Sequence, residues 1–309
     1  MKILVSGGAG FVGTNLIKKL LKDGHEVVSV DNYSTGFKEN HQKGCLYYDY
    51  DLSSSHTLGI YVDHNSYPVW RELDYDIIFH MAALARIQPS LENPHKTILN
   101  NFYSTLNLIE LARKNNTPFV YAGSSSLHHG LWGSPYAWSK FGGEQLCELY
   151  NKVYDLPTSI CRFYNVYGPH QLEGGAYATV LGIFMKQFKE NKPLTITGDG
   201  EQRRDFTHID DIVEGLEKCG RSLLIPNEFH AKVSGKIFEL GRGVNNSINE
   251  VASYFGSDYP KEHIPKRDGE YDVTLCESDE ARKLLGWVPS KNIDDYIKDF
   301  VETERFLNE

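Results

Sequence analysis

Three groups of residues in this chain have types and spacings that could do chemistry: Gly7-Gly-Ala-Gly10-Phe-Val-Gly13, the triplet Ser124-Ser-Ser126, and Tyr136 with Lys140 four positions on. The glycines read as GxxGxxG, or as GxGxxG from Gly8. Either spacing serves one purpose. The first glycine permits a tight turn, the middle one lets a pyrophosphate approach the backbone, and Gly13 lets a helix pack closely on a strand. The unpaired N–H groups of that helix's first turn, at Phe11 and Val12, then face the phosphates together with the positive end of the helix dipole. The motif alone is weak, so its context matters. Here it lies between the apolar run Ile3-Leu-Val5 and a helical stripe over Phe11–Lys22, and the next strand, Glu26–Val30, ends at Asp31. Asp31 should accept hydrogen bonds from the adenosine ribose hydroxyls and would repel a 2′-phosphate. The expected cofactor is therefore NAD rather than NADP.

Tyrosine acts as a general base only if its phenol can lose a proton near neutral pH. From a reference pKa of about 10, a drop of three units takes about 4 kcal/mol of differential stabilisation. A nearby ammonium and the positive charge of oxidised nicotinamide are sources. A serine hydroxyl beside the substrate oxygen can share the proton. Tyr136 and Lys140 fall on one face of a helix predicted over 136–153. The serines sit past the C-terminal end of a strand, where open α/β sheets place their ligands.

The elements that must position these groups alternate. Strands are predicted at Asp76–His80, Pro118–Ala122 and Thr158–Phe163, with helices over 101–114 and 136–153 between them. This is the pattern of an α/β fold, a Rossmann-type doubly wound parallel sheet, with a smaller C-terminal α/β substrate lobe. Residues 1–168 are expected to form the NAD-binding domain, with 204–220 returning to it, and 169–309 to be mainly the substrate lobe. Helices are predicted there near 176–190, 209–219, 247–255, 278–285 and 293–306.

Composition narrows the function. The chain has 309 residues, with 32 Lys+Arg against 41 Asp+Glu and a formal charge of -9. General nucleic-acid binding needs clustered positive charge, so no nucleic-acid partner is expected. An anionic small molecule can still be held by a few placed arginines or lysines. The five cysteines are scattered, with no Cys-x-x-Cys spacing, so neither a disulfide framework nor a metal site is expected. No signal-peptide pattern opens the chain and no apolar run is long enough to span a bilayer, so a cytoplasmic protein without membrane contact is expected.

Taken in order, these motifs resemble the extended short-chain dehydrogenase/reductase family, and within it the nucleotide-sugar 4-epimerases. The resemblance runs through Gly7–Gly13, Val30-Asp-Asn32, His80-Met-Ala-Ala83, Ser124–Ser126, Tyr136-Ala-Trp-Ser-Lys140, Arg162-Phe-Tyr-Asn-Val-Tyr-Gly168, Gly198-Asp-Gly200, Arg204-Asp-Phe-Thr-His-Ile-Asp-Asp211 and Arg267-Asp-Gly-Glu270. It implies that Tyr136 is the catalytic base, that Lys140 holds the nicotinamide ribose and lowers the tyrosine pKa, and that Ser125, five residues before Gly130, hydrogen-bonds the sugar O4. It further implies that Asn32, Asp51, Leu52, Ala82, Ala83 and Asn100 line the cofactor. Asn165, Val180 and Thr274 would touch the nucleotide sugar, and Arg204 and Arg267 would clamp its two phosphates, for which an arginine fork is suited. The implied reaction removes the 4-hydroxyl proton and the C4 hydride, gives a 4-keto sugar that turns over, and returns the hydride to its other face. NAD is regenerated each cycle.

The chain also departs from family patterns. Dehydratases follow the catalytic Ser/Thr with an acidic pair, where Ser126 and Leu127 stand here. Epimerase-reductases use a Cys and a His. His170 sits in the suggestive place, but Leu127 occupies the cysteine's. Decarboxylases use a glutamate at Leu127. These reactions, and a non-catalytic NAD-binding protein, remain the alternatives, although the last would not require Tyr136 and Lys140. The segment from Ser125 to Tyr136 is shorter than the family's usual loop, with His128-His129-Gly130 replacing Val-Tyr-Gly. Adjacent histidines rarely chelate one ion. Thr274, Gln171 and Gly175-Ala-Tyr-Ala178 resemble epimerases that accept N-acetylhexosamines. The expected substrate is a UDP-sugar, with UDP-N-acetylglucosamine foremost and UDP-glucuronate and UDP-glucose close behind. Family members commonly dimerise through the helices near 101–114 and 136–153, so a homodimer is expected, with Leu106, Ile109, Leu146 and Leu149 as apolar residues on those helices.

Overall fold

The computed structural model describes residues 1–54, 69–225, 232–266 and 271–308. Seven parallel strands form the central sheet in the order β3-β2-β1-β4-β5-β6-β11. They are β1 (Lys2–Ser6), β2 (Glu26–Asp31), β3 (Cys45–Asp49), β4 (Ile77–His80), β5 (Phe119–Ser124), β6 (Thr158–Phe163) and β11 (Lys236–Leu240). The order reverses between β1 and β4, and the chain's ligand crevice is expected outside the strand ends at that switch point.

Successive side chains on a strand point to opposite faces, and β1 shows the consequence. Ile3 and Val5 pack against α1 (Phe11–Lys22) through Leu16, Ile17 and Leu20, and against α6 (Ile209–Leu224) through Ile209, Ile212 and Leu216. Leu4 points the other way, into a second core built with Leu108 and Ile109 of α3 (Pro94–Asn115) and Cys147 and Tyr150 of α4 (Pro135–Tyr154). Both faces of the sheet are therefore covered, which is why its strands are near-continuous apolar runs.

After residue 168 the chain returns to this sheet through α6 and through β11, which pairs with β6 from Lys236↔Ser159 to Leu240↔Phe163. A third core is built by α5 (Val180–Lys189), β8 (Leu194–Thr197), α7 (Ile248–Ser253) and α9 (Ile293–Asn308), around Leu181, Phe184, Ile196, Ile248, Phe255 and Ile297. β8 pairs in parallel with β13 (Lys261–Ile264), and β9 (Arg203–Asp205) pairs antiparallel with β12 (Asn245–Ser247). A parallel pair of β7 (Val166–Tyr167) and β10 (Thr207–His208) joins this region to the sheet side. Helix α8 (Glu280–Leu285) packs on α6 through Ala281 and Leu285.

Candidate active site

One cavity of about 550 Å³ runs along the strand ends at the switch point. Its cofactor end is the turn between β1 and α1. Gly7 has φ +70, and a Cβ there would stand 2.7 Å from the Ala82 nitrogen. A Cβ on Gly13 would stand 2.2 Å from the Gly7 carbonyl oxygen. The sequence spends two glycines on this turn because no side chain fits it. Gly10 caps α1 without any side-chain hydrogen bond, so the first-turn N–H groups at Phe11 and Val12 remain directed at the cavity they line.

Asp31, at the end of β2, accepts from Ala9 N at 2.9 Å and from Tyr33 N at 2.8 Å. Burial pushes its carboxyl pKa up, and those two N–H groups oppose the rise. A carboxylate has about four acceptor sites, so two remain for ribose hydroxyls. Asn32, Asp51, Leu52, Ala82, Ala83 and Asn100 line the same cavity. The glycine cradle, the open helix end and Asp31 fit a dinucleotide.

The Ala82–Ala83 segment is fixed by a buried chain of hydrogen bonds that sequence reasoning missed. The Ser6 hydroxyl accepts from Met81 N at 3.1 Å and Ala82 N at 3.2 Å, and lies 2.6 Å from His80 Nδ1. His80 Nε2 meets the Thr105 hydroxyl at 3.0 Å. Burial, with Lys140 adding to it, depresses the His80 pKa to about 3, so the ring is neutral. Asn101 ties Leu84 to α4, with its amide donating to the Leu84 carbonyl at 3.2 Å and the Ser139 hydroxyl at 3.0 Å. The sequence signal for these groups is a set of polar residues inside apolar runs.

Tyr136 enters the cavity from the first turn of α4. Ser134 caps that helix, accepting from Ala137 N at 3.1 Å, and Pro135 opens it. The Tyr136 hydroxyl donates to Ser124 Oγ at 3.4 Å, and Ser124 Oγ lies 2.9 Å from Ser126 Oγ. Ser125 is buried and lines the cavity, and no hydrogen bond engages its hydroxyl among the described residues. Burial raises the Tyr136 pKa. The Ser124 hydrogen bond and the charge of Arg86 pull it down, and Glu144 pushes it up. Lys140 is buried with its ammonium 4.2 Å from the centre of the Tyr121 ring. Burial lowers its pKa to about 8, against an opposing pull from Glu144. Arg86, which sequence reasoning passed over, adds a positive charge that draws on the Tyr136 phenol against the effect of burial. Its signal is a lone charge in the apolar run Ala82-Ala-Leu-Ala-Arg-Ile87.

At the opposite end, Asn165, Val180, Arg204 and Thr274 line the cavity. The Thr274 hydroxyl accepts from the Asn165 amide at 2.9 Å and from Asp205 N at 3.0 Å. Arg204 Nη1 donates to the Arg203 carbonyl at 2.9 Å. The fully buried Asp205 gathers the N–H groups of Arg242, Gly243 and Cys276 at 2.9, 2.9 and 3.0 Å, which fixes the loops behind this end. Arg267 lies outside the described residues. Gln171 is not at the cavity. It bridges Met185 and Thr179. His170 points to Asn40 Oδ1 at 3.0 Å and does not line the cavity either. The short segment after Ser125 forms 3-10 turns over Ser125–His129 and Leu131–Gly133. His128 leaves the cavity to pair with Glu239, and Tyr271 comes across to the Gly133 side of the gap.

Three comparisons with known proteins agree with this geometry. The profile of the NAD dependent epimerase/dehydratase family matches residues 3–223. A UDP-glucuronate 4-epimerase of Thermodesulfobacterium geofontis is 32% identical over 96% of this chain and 93% of its own. Among solved structures, a UDP-glucose 4-epimerase from Thermotoga maritima with UDP-glucose superposes at TM-score 0.86, 26% identical, over 100% of both chains. A UDP-glucuronic acid 4-epimerase from Bacillus cereus, in complex with UDP-glucuronic acid and NAD, superposes at 0.82, 26% identical, over 99% of this chain and 100% of that one.

Proposed function

Because the chain belongs to the NAD-dependent epimerase/dehydratase family, we propose that it inverts C4 of a UDP-sugar. The observation that carries this reading is one cavity that holds the glycine turn with Asp31 at one end and Tyr136 beside the serine triplet further along. NAD, when bound, supplies the acceptor that takes and returns the C4 hydrogen.

The chain's own residues do the rest. The Ser125 hydroxyl is available to the sugar O4, and Ser124 holds the Tyr136 hydroxyl in place. Tyr136 takes the O4 proton and later gives it back. With burial holding the phenol protonated, its activation needs added positive charge, which Arg86, Lys140 and an oxidised nicotinamide would sum to provide. Asn165, Val180, Arg204 and Thr274 form the nucleotide-sugar end, with Arg267 as a second phosphate-binding arginine.

Elimination of water has less support. The carboxylates among the described lining residues are Asp31 and Asp51, both at the cofactor end, and Ser126 and Leu127 offer no acid–base group for it. A homodimer through α3 and α4 completes the reading. Ile109 turns inward to the core, and Leu106 and Leu146 pack partly against it. Leu99, Tyr103, Trp138, Leu149 and Val153 remain exposed on those helices, apolar area that an interface would cover. Incubation of the purified protein with UDP-glucuronate, UDP-glucose and UDP-N-acetylglucosamine, with the C4 epimers resolved chromatographically, tests the reaction. Formation of an epimer from at least one supports it, and no epimer from any, with NAD bound, overturns it.

A further inference from the structure

Arg86 sits just before α2 (Ile87–Glu92) and lines the cavity with Tyr136, Ser124 and Ser125. One of its donors, Nη1, is taken by the Ala85 carbonyl at 3.0 Å. Among the described residues no carboxylate pairs with it. Arg162 and Arg203, also partly buried, each face a glutamate: Arg162 meets Glu144 at 2.7 Å and Arg203 meets Glu250 at 3.1 Å. A guanidinium keeps its charge under all ordinary conditions. An enclosed charge without a counter-ion is costly, so the cavity is incomplete until a ligand supplies an anion.

We propose that Arg86 is a specificity-determining residue that selects a nucleotide hexuronate by pairing with a carboxylate at C6 of the sugar. This rests on the C4 chemistry proposed above. In that reaction the Tyr136 hydroxyl marks the position of the sugar's O4. Arg86 directly precedes α2, and α2 meets the start of α4 where Tyr136 N donates to Ser90 Oγ at 3.2 Å, so an anion that completes Arg86 can lie next to C4. The diphosphate is attached at C1, across the ring, and the cofactor's phosphates belong to the glycine turn. C5 is bonded to C4 and carries C6, so the acidic group that reaches Arg86 is a C6 carboxylate. The unused Nε and Nη2 donors suit its two oxygens. A neutral CH2OH at C6 leaves the charge unmatched. Burial lowers the Arg86 pKa and raises that of Tyr136, and the charge interaction between the two opposes both shifts.

The test measures kcat/KM and calorimetric affinity for UDP-glucuronate and UDP-glucose on the NAD-containing wild type, Arg86→Met and Arg86→Lys. The wild type should favour UDP-glucuronate. Arg86→Met should lower the glucuronate-to-glucose ratio about 100-fold, as expected for loss of a charge-assisted pair, and Arg86→Lys should restore part of it. A ratio that stays within about threefold while both substrates weaken would assign the charge to Tyr136 or the cofactor and overturn the proposal. So would a wild type that binds UDP-glucose more tightly. Absence of turnover with an Arg86-dependent preference in binding would sink the epimerase reading and leave the selectivity standing.

Discussion

Helix α4, which carries Tyr136 and Lys140, packs on the sheet through Cys147 and Tyr150 and is also tied to it by a buried ion pair. Arg162 of β6 reaches Glu144 at 2.7 Å, with side-chain exposures of 12% and 1%. The guanidinium also meets Glu239 of β11 at 3.2 Å. Glu239 has further partners in Tyr164 and His128, whereas Glu144 depends on Arg162. Arg162→Met therefore leaves the buried Glu144 without its hydrogen-bonded counter-ion and with only the Lys140 charge on the same helix to oppose it, a loss of about 3–5 kcal/mol. At about 2.1 cal/mol/K per residue, a chain of this length unfolds with an entropy of roughly 0.65 kcal/mol/K, so Tm should fall by about 5–8 °C. Glu144→Gln alone should cost less, because Arg162 keeps Glu239. The double variant should regain most of the loss, since neither charge is then orphaned. Calorimetry or circular dichroism on the four proteins measures the cycle. A fall of less than about 2 °C for Arg162→Met, or a double variant no more stable than Arg162→Met, would refute the reasoning.

Gly13→Ala places its Cβ 2.2 Å from a backbone carbonyl in the cofactor turn, so the variant should be purified without NAD, read from the absorbance released on denaturation. Gly24→Ala, with φ +80 and nothing within 4 Å, should keep NAD and lose only about 1 kcal/mol of stability. Tyr136→Phe forfeits one 3.4 Å hydrogen bond and should fold with NAD bound, while kcat drops about 100-fold or more. His80 has a folded pKa of about 3 against a reference of 6.5. The unfolded chain therefore binds the extra proton between those values, and stability contributed by the neutral ring is complete above pH 6.5 and is lost as pH falls. The Tm advantage of the wild type over His80→Gln should narrow from pH 7 to pH 4. A constant gap would contradict a neutral, buried His80.

The glycine turn, Asp31, the Tyr136 helix and the alternation into a parallel sheet were legible in the sequence because each is a local pattern of spacing. β3 and β11 were not. β3 is a partly exposed edge strand rich in tyrosine, and β11 reaches β6 across more than seventy positions. The start of α3 at Pro94, ahead of the expected 101, is hidden by the polar run His95-Lys96-Thr97. In the site, the partner of Tyr136 depends on which serine of the triplet the β5 end turns inward, and on Arg86 arriving from a separate segment. No spacing encodes that meeting. Gln171 and His170 carried suggestive neighbours in sequence and face elsewhere in the fold.

Epimerisation in D2O tests the central claim most directly. The protein, with its bound NAD and none added, is incubated with UDP-glucuronate, UDP-glucose or UDP-N-acetylglucosamine, and the product is read by proton NMR. The account predicts a C4 epimer that retains protium at C4, because the hydrogen removed is the one returned. Deuterium at C4, or no C4 epimer from any of the three sugars, would contradict it.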